Sequence, residues 1–245
     1  MKNFIQFLLS FFGYNIIKSK NFYKVNRTLD YAIKNLLNKN DPRIIDIGAH
    51  EGESIIRFNK LFNNPEIHSF EPQIESFKKL EKLKTNNIYL NNFGLGSKSE
   101  NKDIYINSNT AASSYLNIDN KSKYFRSLKT IKKEETKIDT LDNYLIEKKI
   151  DFIDLMKIDV QGFENEVLNG ALKSLNKVNL IEIEIVFVNY YEKYNSFYEI
   201  ENILKNYNFE LYSLSSITLN RKNDRLRNLD ALYYNKKINK EINYK

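Results

Sequence analysis

The stretch RIIDIGAHEGES, residues 43–54, decides the fold that we predict for this chain. It opens with residues of strand character and ends with two glycines, Gly48 and Gly52, that are separated by three residues. Glycine in such a turn lets the backbone come close to a ligand, because no Cβ stands in the way, and the amides of the next helix then point at that ligand. The stretch therefore predicts a strand, a ligand-holding turn and a helix that begins near Glu53.

Downstream of this turn, short β-rich runs alternate with helical patterns such as the apolar face formed by Ile55, Phe58 and Phe62. Nearly continuous apolar strands with helices between them indicate a mostly parallel sheet covered on both faces. The predicted fold class is therefore α/β, a doubly wound Rossmann-like sandwich. No helix separates the last two strands, so we expect them to pair as an antiparallel hairpin. The predicted strands span residues 43–48, 66–72, 88–94, 102–107, 152–160, 180–187, 209–215 and 231–236.

Length and composition favour one main domain. The chain has 245 residues, of which 42% are hydrophobic, and we assign residues 41–245 to a single domain. Residues 1–40 are predicted to be a helical segment packed on its core. The apolar run at residues 4–12 is too short to cross a bilayer, so this docking is favoured over attachment to a membrane surface, and no stable membrane insertion is expected. The absence of cysteine predicts a reducing compartment, the cytoplasm.

One long segment without a regular pattern, residues 108–133, carries six Lys or Arg residues and a single acidic residue. A loop of this length in a compact domain is usually functional or disordered. We predict that it faces the substrate, and an idle mobile loop is the alternative. Its cations, among them Lys121, Lys123 and Arg126, suggest an anionic acceptor. Elsewhere the charges behind the net charge of +7 are intermixed, which indicates a solvated surface.

Two features narrow the ligand of the glycine turn. The dinucleotide fingerprint G-x-G-x-x-G is absent because residue 50 is His, which disfavours a pyrophosphate. Glu71 ends the second predicted strand, 25 residues after Asp46, where an acidic side chain can accept hydrogen bonds from both ribose hydroxyls of an adenosine ligand. A nucleoside without phosphate fits both features, and S-adenosylmethionine is the leading candidate. An incidental glycine-rich turn is the alternative.

A third feature lies at the same sheet edge. Asp159 is near the carboxyl end of the strand predicted at residues 152–160, and Glu182 and Glu184 share one face of the next strand. Buried carboxylates are costly unless they are paired or used. The edge of the sheet that carries Gly48 and Glu71 is therefore predicted to carry acidic side chains as well.

With these residues in place, the chain resembles the FkbM family of S-adenosylmethionine-dependent methyltransferases. The resemblance is carried by the segments IIDIGAHEGES, SFEP, NNFGLGSKSENKDIYI, TKIDTLDNYL, LMKIDVQGFENEVLNGA and LIEIEI, in the order of the family. It implies a class I methyltransferase fold and O-methylation, frequently of sugar hydroxyls in glycans or natural products. The family commonly has Glu where this chain has Gln161, so a role for a carboxylate at that position does not carry over.

Within this interpretation, Asp159 is the first candidate for the base that takes the acceptor's proton, and Glu184 is a second base or a hydrogen-bond acceptor for the substrate. The alternatives are that Asp159 caps the following helix and that Glu184 pairs with a lysine. No metal ion is assigned, although the two carboxylates could share a divalent cation with a third oxygen ligand. The predicted cofactor-binding residues are Asp46, Gly48, His50, Gly52, Glu71 and Asn92.

Several roles stay open at this level. His50 either acts as a base or orders its loop, and Asn92 either bonds the adenine ring or is an ordinary turn residue. Ser113 and Ser114 are weaker candidates for contact with the cofactor or the substrate. Two other functions remain possible: an RNA ribose O-methyltransferase, and an inactive module that binds S-adenosylmethionine. We expect a small-molecule or glycan acceptor and no nucleic acid, and the oligomeric state is not determined by the sequence.

Overall fold

The computed structural model describes residues 29–122, 128–192, 197–220 and 222–239. The helix predicted at residues 4–12, and Lys123 and Arg126 of the predicted loop, lie outside the described residues. The described strands are β1 (Arg43–Ile47), β2 (Glu66–Phe70), β3 (Ile88–Asn91), β4 (Gly94–Leu95), β5 (Glu100–Asn107), β6 (Thr130–Asp139), β7 (Ile153–Ile158), β8 (Val178–Val186), β9 (Phe209–Leu219) and β10 (Leu226–Asn235).

The helices are short. Those of the described residues have six to ten residues, and none of them is long and apolar enough to cross a membrane. They are α1 (Leu29–Leu37), α2 (Glu53–Leu61), α3 (Ile74–Leu80), α4 (Leu141–Lys148), α5 (Glu164–Asn169) and α6 (Phe197–Asn206).

Seven strands form one sheet in the order β3-β2-β1-β7-β8-β10-β9. Strands β3, β2, β1, β7 and β8 pair in parallel, whereas β10 runs antiparallel to both β8 and β9. This topology confirms the predicted α/β sandwich and its C-terminal antiparallel hairpin. Parallel strands end at the same edge of the sheet, so residues that follow β1, β2 and β7 are brought together there.

Both faces of the large sheet are buried, which explains the nearly continuous apolar strands. Along β1, Ile44 packs toward α1 and α2, while Ile45 and Ile47 pack on the opposite face toward α4, α5 and α6. The same alternation recurs in β7 and β8 because successive side chains of a strand point to opposite faces. Helices therefore cover the sheet from both sides, as the doubly wound prediction requires.

The sequence prediction missed strand β6 and placed the bounds of the C-terminal hairpin wrongly. Thr130 to Lys133, assigned to the irregular segment, instead begin β6, which pairs antiparallel with β5 in a second sheet of order β4-β6-β5. Strands β9 and β10 are also longer than predicted. In both cases the missed residues mix polar and apolar types, and most of them are at least partly exposed, so they show no clear apolar periodicity; they are held in the sheet by pairing with the neighbouring strand.

A row of polar side chains crosses the face that α1 and α2 cover. Asp46, Lys157 and Glu182 are register partners on β1, β7 and β8. Arg57 of α2 donates to both carboxylate oxygens of Glu182, at 2.6 and 3.0 Å, and also to Asp30 of α1 at 2.6 Å. Glu182 is buried, so this pairing offsets the cost of its burial and holds two helices on the sheet.

We predict that removing one partner of the Arg57–Glu182 pair costs more than removing both. Arg57→Met leaves the Glu182 carboxylate buried without its guanidinium and should lower the free energy of unfolding by about 3 kcal/mol. The double variant Arg57→Met, Glu182→Leu replaces the pair by apolar groups of similar volume and should recover most of that loss. Urea unfolding measures both. A double variant as unstable as the single one would show that the loss does not come from leaving the Glu182 carboxylate buried without its partner.

Candidate active site

A cavity of about 320 Å³ opens at the carboxyl ends of the parallel strands. Its wall is formed by residues that follow β1, β2 and β7, together with residues 111 and 113–115, which follow β5. This part of the segment predicted to face the substrate therefore borders the cavity. The predicted site residues on the cavity wall are Gly48, His50, Glu71, Ser113, Ser114 and Asp159.

The glycine turn is fixed by packing against the protein itself. Gly48 has φ +84°, and a Cβ on it would lie 1.9 Å from the carbonyl oxygen of Asp159. Gly52 has φ +100°, and its Cβ would lie 2.3 Å from Leu83 Cδ1. Both positions therefore exclude a side chain, but for a different reason from the ligand approach that we predicted. Gly48 borders the cavity as well, whereas Gly52 packs behind it.

Glu71 is the buried acid of the cavity, with 2% of its surface exposed. Its Oε2 accepts a hydrogen bond from the backbone N–H of His50 at 2.8 Å, and its Oε1 accepts one from the backbone N–H of Gln73 at 2.8 Å. Burial raises the pKa of Glu71 to about 7, against the lowering effect of these two amides. The carboxyl group is therefore held in place by backbone and titrates near neutral pH.

Besides Gly52, two further predicted cofactor ligands do not border the cavity. Asp46 is fully buried beneath the turn, where its Oδ2 accepts from Ser54 Oγ at 2.6 Å and Ser69 Oγ at 3.3 Å, and burial raises the pKa of Asp46. Asn92 donates its amide to the carbonyl of Glu71 at 2.9 Å. Asp46 thus supports the turn from below, and Asn92 fixes the backbone of Glu71.

The contacts of His50 favour an ordering role. Its Nε2 lies 2.9 Å from Thr110 Oγ1 and its Nδ1 lies 3.3 Å from Glu53 Oε1. The ring therefore joins the glycine turn to the segment after β5, across the mouth of the cavity. This contact leaves His50 on the cavity wall but engages both ring nitrogens with protein groups.

The structure brings Asp159 and Glu184 together through a third residue. Gln161 Nε2 donates to Asp159 Oδ1 at 2.8 Å and to Glu184 Oε2 at 2.9 Å. Lys157 Nζ lies 3.3 Å from Asp159 Oδ2, and Asn228 Nδ2 donates to Glu184 Oε1 at 2.8 Å. Asp159 faces the cavity, and Glu184 lies behind Gln161.

These contacts decide between the alternatives for the two carboxylates. The residue at the start of α5 is Phe163, with no side-chain cap, so Asp159 does not cap that helix. The lysine of the cluster, Lys157, pairs with Asp159 rather than with Glu184. Burial and the carboxylates of Asp159, Glu164 and Asp230 raise the pKa of Glu184 well above its usual range. Within the described ranges, no three acidic or histidine side chains are placed to hold one metal ion.

Sequence reasoning assigned no role to Lys157 or Gln161, yet both border the cavity. Lys157 did leave a signal, because a lysine in a strand buried on both faces needs a partner. Nearby carboxylates, Asp159 foremost, raise the pKa of Lys157 against the effect of burial, so it stays charged. Gln161 left a weaker signal, since its bridging contact depends on the register between β7 and β8.

Comparison with protein families gives a match to the methyltransferase FkbM domain over residues 46–211. This confirms the resemblance predicted from the sequence and the prediction that the chain is a methyltransferase. The chain is also 26% identical over 182 residues to the 2-O-methyltransferase NoeI of Sinorhizobium fredii. The aligned region covers 71% of this chain and 73% of that protein.

Among solved structures, the chain is similar to the plantazolicin methyltransferase BamL in complex with a triazolic desmethylPZN analog and SAH, with 9% identity, a TM-score of 0.47 and 89% of each chain covered. It is also similar to an rRNA methylase from Streptococcus thermophilus, with 13% identity, a TM-score of 0.45, and 83% of this chain and 93% of that chain covered.

We predict that Gly48→Ala strains the turn that positions the cavity. Alanine at this left-handed φ, with its Cβ against a backbone oxygen, should lower the free energy of unfolding by roughly 2–4 kcal/mol. Gly96→Ala is the matched control: its Cβ would meet only side-chain atoms, the nearest being Ile138 Cγ2 at 2.9 Å, so its cost should be clearly smaller. Chemical unfolding compares the two, and equal losses would contradict the packing role of Gly48.

Proposed function

The chain belongs to the FkbM methyltransferase family, and we propose that it transfers the methyl group of S-adenosylmethionine to a hydroxyl group of a sugar in a glycan, a nucleotide-linked sugar or a natural product. The observation that carries this proposal is the placement of Glu71 and Asp159 on one cavity, with the glycine turn between them. We assign Glu71 to accept hydrogen bonds from the ribose hydroxyls and Asp159 to accept the proton of the acceptor hydroxyl.

The residues present fit the proposed cofactor. Each carboxylate oxygen of Glu71 accepts one backbone amide, so each keeps a lone pair for a ribose hydroxyl. A cavity of about 320 Å³ is of the size that encloses small ligands. Glu71 would hold the ribose, and the backbone after Gly48 would border the nucleoside. When bound, S-adenosylmethionine supplies a methyl group activated by its positively charged sulfur.

The chain's own contribution is alignment and proton removal. An acceptor hydroxyl forms a new C–O bond as the C–S bond breaks, and its proton must leave; Asp159 is the carboxylate on the cavity wall that can receive it. Lys157 and Gln161 hold the two oxygens of Asp159 in a fixed direction. Alignment can contribute about 7–11 kcal/mol and a general base about 10²–10⁴-fold, so geometry supplies most of the acceleration.

Two observations support an acceptor that carries a hydroxyl group and a negative charge. The similar protein from Sinorhizobium fredii is named a 2-O-methyltransferase, which favours a hydroxyl acceptor here. Lys121 and Lys129 belong to the segment whose residues 111 and 113–115 border the cavity, which favours an anionic acceptor such as a nucleotide-linked sugar. We propose no nucleic-acid partner, and a cytoplasmic location remains a prediction from the absence of cysteine.

An assay with tritiated S-adenosylmethionine offers the protein neutral oligosaccharides, nucleotide-linked sugars and RNA in separate reactions. We predict that the labelled methyl group is transferred to a hydroxyl of one of the two sugar acceptors and not to RNA. Asp159→Asn removes the proton acceptor and should lower kcat by about 10²–10⁴-fold. Glu147→Gln, whose side chain is 71% exposed on α4, is the control and should leave kcat unchanged.

Each other outcome of this assay has a definite meaning. Transfer to RNA alone would replace the sugar proposal with RNA ribose methylation. Donor binding without transfer to any of the acceptors would favour an inactive binding module. Full activity of Asp159→Asn would remove Asp159 as the base while leaving the transfer reaction in place.

A further inference from the structure

We infer that Gln161 is a positioning residue whose neutral side-chain amide ties Asp159 and Glu184 into one hydrogen-bonded unit. The catalytic consequence of this inference rests on the proposed function, because Asp159 is the proton acceptor of that reaction. The bridge itself is a property of the folded chain, and it can be tested without cofactor or acceptor.

The bridge consists of alternating donors and acceptors. Gln161 Nε2 has two hydrogens and lies within hydrogen-bond distance of two carboxylate oxygens, Asp159 Oδ1 at 2.8 Å and Glu184 Oε2 at 2.9 Å. The remaining oxygens of the pair also accept hydrogen bonds, Asp159 Oδ2 from Lys157 and Glu184 Oε1 from Asn228. All four carboxylate oxygens therefore accept from a donor of the protein, and Gln161 is the residue common to both groups.

The carboxylates orient the amide. Its NH₂ group faces Asp159 and Glu184, because an amide oxygen there would be repelled by the carboxylates. Its Oε1 lies 3.3 Å from the Tyr191 hydroxyl, whose hydrogen is donated to the carbonyl of Ala112 at 2.7 Å. The backbone is held equally firmly. Ser114 Oγ donates to the carbonyl of Gln161 at 2.7 Å, and Glu164 Oε1 accepts from the backbone N–H of Gly162 at 3.0 Å.

Gln161 also has a conformation that needs support. Its φ is +56°, in the left-handed region that residues other than glycine rarely adopt, and the next residue, Gly162, is at +98°. Such a backbone is unfavourable for a residue with a side chain and persists when surrounding contacts fix it. Side chain and backbone are thus both fixed at a strained position beside the cavity, which is typical of a residue with a positioning role.

The electrostatic surroundings explain why the bridge is an amide. The pair faces Glu164 at the start of α5 and Asp230 of β10, and Lys157 of β7 is the cation beside Asp159. Carboxylates outnumber cations in this cluster, so a third carboxylate between Asp159 and Glu184 would be repelled from both sides. The neutral amide supplies two donors and adds no charge.

Gln161→Glu tests this inference, because it keeps the shape of the side chain and replaces donors by a titratable carboxyl. A proton on the introduced carboxyl restores one donor, so the pKa of that carboxyl in the folded protein should lie well above the unfolded value of about 4.3. The variant is then closest to wild type in stability near pH 5 and loses stability relative to wild type as pH rises through the folded pKa. Gln161→Met, which cannot titrate, is the matched control.

The expected readout is thermal unfolding without ligand between pH 5 and pH 8. The Tm difference between wild type and Gln161→Glu should grow by at least about 5 °C over this range, while the difference for Gln161→Met stays constant. A Gln161→Glu curve parallel to that of wild type would overturn the inference. Because this arm needs no cofactor, its failure is separate from a failure of the proposed methyl transfer.

Kinetics give the second readout. In the methyl-transfer assay, the ratio of kcat for Gln161→Glu to kcat for wild type should fall as pH rises, by up to about tenfold per pH unit above the pKa of the introduced carboxyl. Gln161→Met should lower kcat by a constant factor at every pH. Equal pH profiles for wild type and Gln161→Glu would show that the bridge does not position the base.

Discussion

The close approach of the glycine turn to the end of β7 is the contact on which the site depends. Gly48 lies so near the carbonyl of Asp159 that a Cβ would stand 1.9 Å from it, and the backbone N–H of Asp159 donates to the carbonyl of Ile47 at 3.0 Å. The turn is joined in the same way to β2, because the N–H groups of Gly48 and Ala49 donate to the carbonyl of Phe70 at 3.0 and 3.1 Å. Three strand ends are thereby locked together, and Glu71 and Asp159 come to face one cavity.

The second theme of the structure is how it carries so many buried acids. Glu182 is neutralised by Arg57, Asp159 is paired with Lys157, and Asp46 accepts from two serine hydroxyls. Like Asp46, Glu71 and Glu184 are held by uncharged donors, and burial raises the pKa of all three. The buried acids thus divide into those paired with a cation, Glu182 and Asp159, and those held by uncharged donors. One acid of each kind, Asp159 and Glu71, borders the cavity.

The sequence predicted the parts of this arrangement that depend on local pattern. Apolar runs gave the parallel strands, and the positions of Glu71 and Asp159 followed from where those strands end. Strand β6 and the full length of β9 and β10 could not be predicted, because mixed polar residues are held there by cross-strand pairing. The bridge formed by Gln161 could not be predicted either, because it depends on the pairing of β7 with β8 and on a left-handed backbone. Asp46 and Asn92 were predicted to bind the cofactor, but in the structure they lie outside the cavity wall and support the residues that form it.

The most direct test of the account is calorimetric titration of the wild type and Glu71→Ala with S-adenosylhomocysteine at pH 6 and pH 8. The account predicts saturable binding to the wild type that is about tenfold tighter at pH 8, because the Glu71 carboxyl, with a pKa of about 7, must be ionised to accept both ribose hydroxyls. Glu71→Ala should bind at least about tenfold more weakly at pH 8 and lose this pH dependence. Equal binding by the two proteins, or none by the folded wild type, would contradict the assignment of the cavity.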